Sequence, residues 1–274
     1  MAKRRPGRAL RAVQYNAGDI IWYRKQMLSH IRAMNKDVRS TVIFVFENNS
    51  LASPETGAVL IAKDASPVAL VKAAIAALSK KWVETFTNLA GAVSDRMMEK
   101  ATESADKQIK SAFKREDMTI QMQMTPAMIE RQEAIIAENV SLIKSIPEKY
   151  FTDVEGMVYR SVAKGGDRKA LVDELMSNFS QREGITRRRA EFIARDQVRK
   201  ATSALAAVRQ QAAGITQGEW VHSGGQANPR HSHAKAGAEH RVFDLDKGCF
   251  LDGQWIMPGQ LPNCACSWRP LLPF

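Results

Sequence analysis

Apolar residues recur at steps of three and four through most of this chain, a spacing that lines them along one side of a helix. The longest run is Val68, Val71, Ile75, Leu78, Trp82, Phe86, Leu89, Val93 and Met97. Ser66 is a good N-cap and Pro67 suits the first helical position, so a helix is predicted over residues 66–114. That is well beyond the roughly 8–20 residues of an ordinary globular helix. Such length suits a spacer or a self-association surface, although the apolar steps do not keep a strict heptad.

Upstream, Ile21, Arg24, Leu28, Ile31 and Met34 predict a helix over residues 18–37, with Arg24 interrupting the stripe. Residues 40–46 (STVIFVF) are β-branched and aromatic and predict a strand. Residues 47–50 then predict a turn, and residues 58–62 a partner strand. Downstream, Thr125 and Pro126 repeat the helix-start signal, and Pro147 predicts the end of that helix. Further helices are predicted over 149–164, 167–179 and 186–214, the last closed by Gly214 in the left-handed position after the helix.

Beyond Gly214 the helical pattern fades. Residues 217–222 predict a strand, and residues 250–256 a hairpin with Asp252 and Gly253 as its two-residue turn. The expected fold is mainly α with a small α+β C-terminal module: long helices followed by a short-stranded, loop-rich Cys/His segment. Four stretches are expected: a basic flexible arm (1–16), a helix plus strand pair (17–65), a helical region (66–184) and the C-terminal module (185–274).

Composition adds little to that picture, since 45% hydrophobic and 25% charged residues describe an ordinary globular chain of 274 residues. Charge adds more. The first 40 residues hold ten basic side chains against Asp19 and Asp37, which accounts for +8 of the net +11. Lys3, Arg4, Arg5, Arg8 and Arg11 are therefore candidates for contact with DNA phosphates. An acidic protein surface is the alternative partner for the same charges. No run approaches the about 18 apolar residues of a membrane span, so no membrane contact is expected. The basic start is followed by no apolar signal core. The odd count of three cysteines fits a reducing compartment, and synthesis in a cytoplasm is expected.

Candidate chemistry is confined to the C-terminal end. His222, His231, His233 and His240 fall between residues 222 and 266, together with Cys249, Cys264 and Cys266, which are all the cysteines. Thiolate and imidazole are the ligands zinc prefers, and a small loop-rich segment gains stability from one. His233, Cys264 and Cys266 are the candidate zinc ligands, with His231, His240 or Cys249 as the fourth. Reduced thiols and loop histidines without a metal are the other reading. No P-loop, G-x-S-x-G, H-E-x-x-H or G-x-G-x-x-G pattern is present. A metal-dependent nuclease or hydrolase built on the His/Cys cluster is the enzymatic alternative, and it requires an open coordination position.

Several elements occur in a suggestive order. A helix carries Ile193, Ala194, Arg195, Asp196 and Gln197, and ends at Ala213, Gly214 and Ile215. The strand Glu219, Trp220, Val221 follows, then the loop Pro229, Arg230, His231, Ser232, His233. Met257, Pro258 and Gly259 precede Pro262, Asn263, Cys264, Ala265 and Cys266, with Arg269 and Pro270 beyond. Over residues 185–270 this series resembles the phage Mu protein F-like family of head-morphogenesis (minor capsid) proteins. Two departures stand out. Ala265 replaces the arginine usual between the two cysteines, and residues 223–226 lack the acid that commonly follows the Trp strand. The resemblance implies a minor head protein of a tailed bacteriophage, not an enzyme. Its implied place is the virion, in the capsid interior near the portal. Its implied partners are the portal protein and inner capsid or scaffold proteins, with a role in head morphogenesis and in DNA packaging or ejection. It also implies metal binding by the Cys/His region.

Overall fold

Side-chain caps start two of the described helices, proline stands first in two, and glycine stops one. The computed structural model describes residues 8–48, 51–52, 59–60, 67–163, 168–224 and 228–273. Among these, α1 (Ala17–Asn48) is followed by β1 (Leu51–Ala52), β2 (Val59–Leu60), α2 (Pro67–Lys114), α3 (Pro126–Ala163) and α4 (Arg168–Ala212). The C-terminal part holds β3 (Gln217–Val221), α5 (His231–Ala238), β4 (Val242–Asp244), β5 (Cys249–Leu251), β6 (Gln254–Ile256) and β7 (Ser267–Leu271). The fold is mainly α with a small α+β module at the C-terminal end, as the periodicity predicted. Asn16 caps α1, its Oδ1 accepting the Gly18 N–H at 2.8 Å, and Thr125 caps α3 through the Met128 N–H at 3.3 Å. At the end of α4, Gly214 takes φ +80°. The Ile215 N–H then reaches the Gln210 carbonyl at 3.0 Å, and Gly214 reaches Gln211 at 2.9 Å.

The chain divides into two compact units, one of Met1–Trp22, Ser94–Glu138 and Phe192–Phe274, the other of Tyr23–Val93 and Asn139–Glu191. In the second unit, α1 buries Tyr23, Met27, Ile31, Met34, Val38, Val42 and Val45 at steps of three and four. Residues 40–46 are therefore helical and not the predicted strand. In a strand Val42 and Val45 would face opposite ways, whereas the helical period puts both in the core. That burial outweighs a β propensity whose whole range is only about 1 kcal/mol. The stripe is also rotated from the predicted one, for Ile21 and Arg24 are exposed. The strand partner of β2 is β1, with Leu51 opposite Leu60. Two buried hydroxyls are satisfied, Tyr23 donating to Asn139 Oδ1 at 2.7 Å and Tyr150 to Asn35 Oδ1 at 2.8 Å.

Two predicted helix breaks do not occur. α3 runs through Pro147, carried by the burial of Ile143, Ile146 and Tyr150 around it. α4 runs without interruption where two helices were predicted. The apolar stripe of α2 is buried in the chain itself at Val71, Ile75, Leu78, Trp82, Phe86, Val93 and Met97, so it is not free for the expected self-association.

The first unit carries a three-stranded antiparallel sheet ordered β4-β3-β7, beside the β5-β6 hairpin. Trp220 pairs across with Trp268, and Gly218 with Pro270. A Cβ on Gly218 would lie 2.5 Å from Trp268 Cδ1, so only glycine admits that ring. Trp268 Nε1 donates to Gln210 Oε1 at 2.7 Å, tying the sheet to α4. The hairpin turn is as predicted, with Asp252 and Gly253 both at positive φ (50° and 78°). Residues 8–16, expected within a flexible arm, are instead held against β7. The Leu10 N–H donates to the Pro270 carbonyl at 2.8 Å, the Leu272 N–H to Arg8 O at 3.0 Å, and Leu10 and Val13 are buried.

Candidate metal centre

His233 reaches the interior on α5, a helix the sequence pattern did not reveal. Eight residues rich in alanine and glycine leave no readable stripe. The Arg230 carbonyl accepts both the His233 and Ala234 N–H groups at 3.1 Å, which starts the helix. Residues two apart on a helix point to different sides, so His233 turns inward while His231 stays exposed. α5 lies so close to the end of β3 that a Cβ on Gly237 would come 2.6 Å from His222 Cβ. The His233 ring meets Trp220 edge-on, with centroids 5.1 Å apart.

Cys264 and Cys266 stand on the segment before β7. The Cys264 N–H closes a turn onto the Leu261 carbonyl at 2.9 Å, and Asn263 sits at φ +61°. Asp196 of α4, itself buried, accepts the Asn263 N–H on Oδ1 at 3.1 Å and pairs with Lys200 at 3.2 Å. Asp196 thus positions the cysteine turn, a role invisible in sequence because 67 residues separate the partners.

The three side chains converge. His233 Nδ1 is 3.5 Å from Cys264 Sγ and 3.8 Å from Cys266 Sγ, and the three donor atoms all lie within 4.8 Å of one another. With Zn–S near 2.3 Å and Zn–N near 2.0 Å, a tetrahedral ion spaces sulfur and nitrogen by roughly 3.5 Å. The residues present therefore fit zinc. His233, Cys264 and Cys266 are 2%, 2% and 7% exposed. His233 Nε2 is buried with no hydrogen-bond partner. A hydrogen bond from Cys266 pulls the Cys264 thiol down to about 5 against the opposing effect of burial. The same bond, with burial, pushes Cys266 up. The pair thus releases one proton readily and retains the other.

None of the three expected fourth ligands joins this cluster. His231 is exposed. His240 Nδ1 lies 2.9 Å from Glu219 Oε1 with its side chain largely in solvent. Cys249 is buried beside Arg241, its thiol raised chiefly by that burial. Among the described residues, the group of three is the one that could hold an ion. Of the expected DNA contacts, Lys3, Arg4 and Arg5 lie outside the described residues. Arg8 pairs with Glu116 at 2.7 Å, and Arg11 is exposed. No helix among the described residues is long and apolar enough to cross a membrane.

Residues 152–269 match the family described as Phage Mu protein F like protein, a span that includes Asp196, Trp220, His233, Cys264 and Cys266. The match begins before residue 185, where the resemblance by motif started. A Haemophilus influenzae protein, described as uncharacterized, is 24% identical over 268 residues, 97% of this chain and 56% of that protein. The chain thus spans about half the length of that curated relative. No solved structure matches the chain.

Proposed function

From the match of residues 152–269 to the phage Mu protein F-like family, we propose that this chain is a minor head protein of a tailed bacteriophage. It acts in head morphogenesis, inside the capsid near the portal, with the portal protein and inner capsid or scaffold proteins as partners. In this reading its C-terminal module docks and does not catalyse. His233, Cys264 and Cys266 hold one zinc ion, which supplies folding energy by joining α5 to the segment before β7. Phe250 and Trp255 support a docking role, because they stand exposed as a tilted pair with centroids 5.3 Å apart and ring planes inclined at 57°. Aromatic side chains are enriched in protein interfaces. Lys3, Arg4, Arg5, Arg8 and Arg11 neutralise phosphates of packaged DNA, a contact that is salt-sensitive and blind to sequence.

The family match carries this reading, and mass spectrometry of purified particles tests it. The chain is expected in heads at low, fixed stoichiometry, and its absence from them would sink the proposal.

One observation favours the alternative of a metal-dependent nuclease or hydrolase: three ligands, not four, converge. Against it, all three are almost wholly buried, and hydrolysis needs substrate beside the open position. Zinc-dependent cleavage of DNA by the purified chain, lost in His233→Ala, would establish the enzyme and displace the docking module.

A further inference from the structure

We infer that the DNA contact is a built surface, formed by Arg11 together with the outward face of the C-terminal third of α2, and that it takes the phosphate backbone of duplex DNA. The inference rests on the proposed contact with packaged DNA, keeps Arg11 from the basic N-terminal sequence, and adds residues of α2 that this sequence does not contain.

Residues 105–113 of α2 bury Ala105, Ile109, Ala112 and Phe113. The opposite face presents Lys107, Lys110, Ser111 and Lys114, with Arg115 just beyond the helix end, all exposed. At 1.5 Å per residue, the lysines from 107 to 114 form a stripe about 10 Å long. Arg11 is brought to this stripe by a fixed contact. The Gln108 side chain takes the Gln14 N–H on Oε1 at 2.9 Å and donates from Nε2 to the Gln14 carbonyl at 2.7 Å. Asn16 Nδ2 adds a bond to Ser104 Oγ at 3.2 Å. The result is a concavity of about 240 Å3 lined by Arg11, Lys107, Gln108, Ser111 and Arg115.

None of the five cations Arg11, Lys107, Lys110, Lys114 and Arg115 has an ion-pair partner among the described residues. Of the neighbouring acids, Asp106 pairs with Arg209 and Glu116 with Arg8, while Glu103, one turn before Lys107, and Asp117, past Arg115, stand exposed beyond the two ends of the stripe. Lys114 and Arg115 alone could be explained as cations at a helix C-terminus. Lys107, two turns earlier, and Arg11, from another segment, are not explained in that way. The residues lining the concavity include no aromatic side chain, which a single-strand site would use for stacking. The apolar part of that lining is Ala12 and Ala112, two methyl groups beside the lysines that the centre of a protein interface tends to lack. A duplex, with about one negative charge per 1.7 Å of axis, fits what remains.

The test is fluorescence anisotropy of the full chain with a 30-base-pair duplex across a salt series, comparing wild type with Lys107→Ala/Arg115→Ala. Each lost phosphate contact lowers the salt slope by about 0.9, so the double variant should lose roughly 1.8. Between 50 and 200 mM salt the wild type should therefore weaken about tenfold more than the variant. Both positions are exposed, so the melting temperature should not change. An unchanged slope, with binding abolished by alanines at Lys3, Arg4 and Arg5, would overturn the inference in favour of the arm alone. So would equal affinity for a single strand or for polyglutamate, or no binding by the wild type. None of these results would bear on whether the chain is found in particles, so this inference and the head-protein reading can fail separately.

Discussion

Arg209 is a cation 5% exposed at its side chain, and it survives there because each of its three nitrogens donates a hydrogen bond. Nε and Nη2 bond the two Asp106 oxygens, both at 2.8 Å, and Nη1 donates to the Gln123 carbonyl. Breaking a buried pair by removing one partner typically costs about 3–5 kcal/mol. Asp106 keeps some solvent, so Arg209→Met should fall at the lower end, about 3 kcal/mol by urea unfolding. Arg209→Met/Asp106→Asn should recover part of that loss, and simple additivity of the two would show that the pair is not coupled. Tyr23 presents the neutral counterpart. Burial raises its hydroxyl above the ordinary value of 10.0, so the folded chain keeps this proton where the unfolded chain ionises. The raised value stabilises the fold fully below about pH 10, and that contribution is lost as pH rises through the folded value. Tyr23→Phe is expected to cost about 1–2 kcal/mol at neutral pH, through the lost bond to Asn139. It should also reduce the fall in stability between pH 9 and 11; an identical fall in both proteins would assign it to other groups.

The helix α1 tests whether period or propensity decides structure. If residues 40–46 are helical, Val42→Ala and Val45→Ala each remove buried methyl groups and should each cost about 2 kcal/mol. In a strand only one of the two would face the core, so a marked difference between them would contradict the helix. The same comparison explains what could be read in advance. The α2 stripe, the Thr125 cap, the Gly214 stop and the Asp252–Gly253 turn are local signals, complete within a few residues, and they match the structure. Residues 40–46 and Pro147 misled because their local preference is overruled by burial against residues distant in sequence. The metal cluster divides along the same line. His233, Cys264 and Cys266 could be named from ligand chemistry alone, but His231 could be set aside only once α5 was known to be a helix. Asp196 could be named within the motif helix but its role could not be read in advance, since its partner is a backbone N–H in a turn.

For the molecule as a whole, the proposed zinc ion would link stretches that the chain brings together only on folding, 31 residues apart from His233 to Cys264. A ligand bound by the native state alone stabilises it by mass action, about 2.7 kcal/mol at a hundredfold excess over Kd. The expected result is one zinc per chain, a melting temperature that rises with zinc and falls with a chelator, and loss of both effects in His233→Ala and Cys264→Ala. His231→Ala and His240→Ala should bind as the wild type does, because those imidazoles point into solvent or to Glu219. Cys249→Ala provides the harder control. Its thiol is buried, so the variant melts earlier, yet its zinc stoichiometry should stay at one because Cys249 lies outside the cluster. If zinc were lost from Cys249→Ala while the folded far-UV signal persisted, the ligand set would have to include that thiol, and the turn held by Asp196 would have to move to admit it.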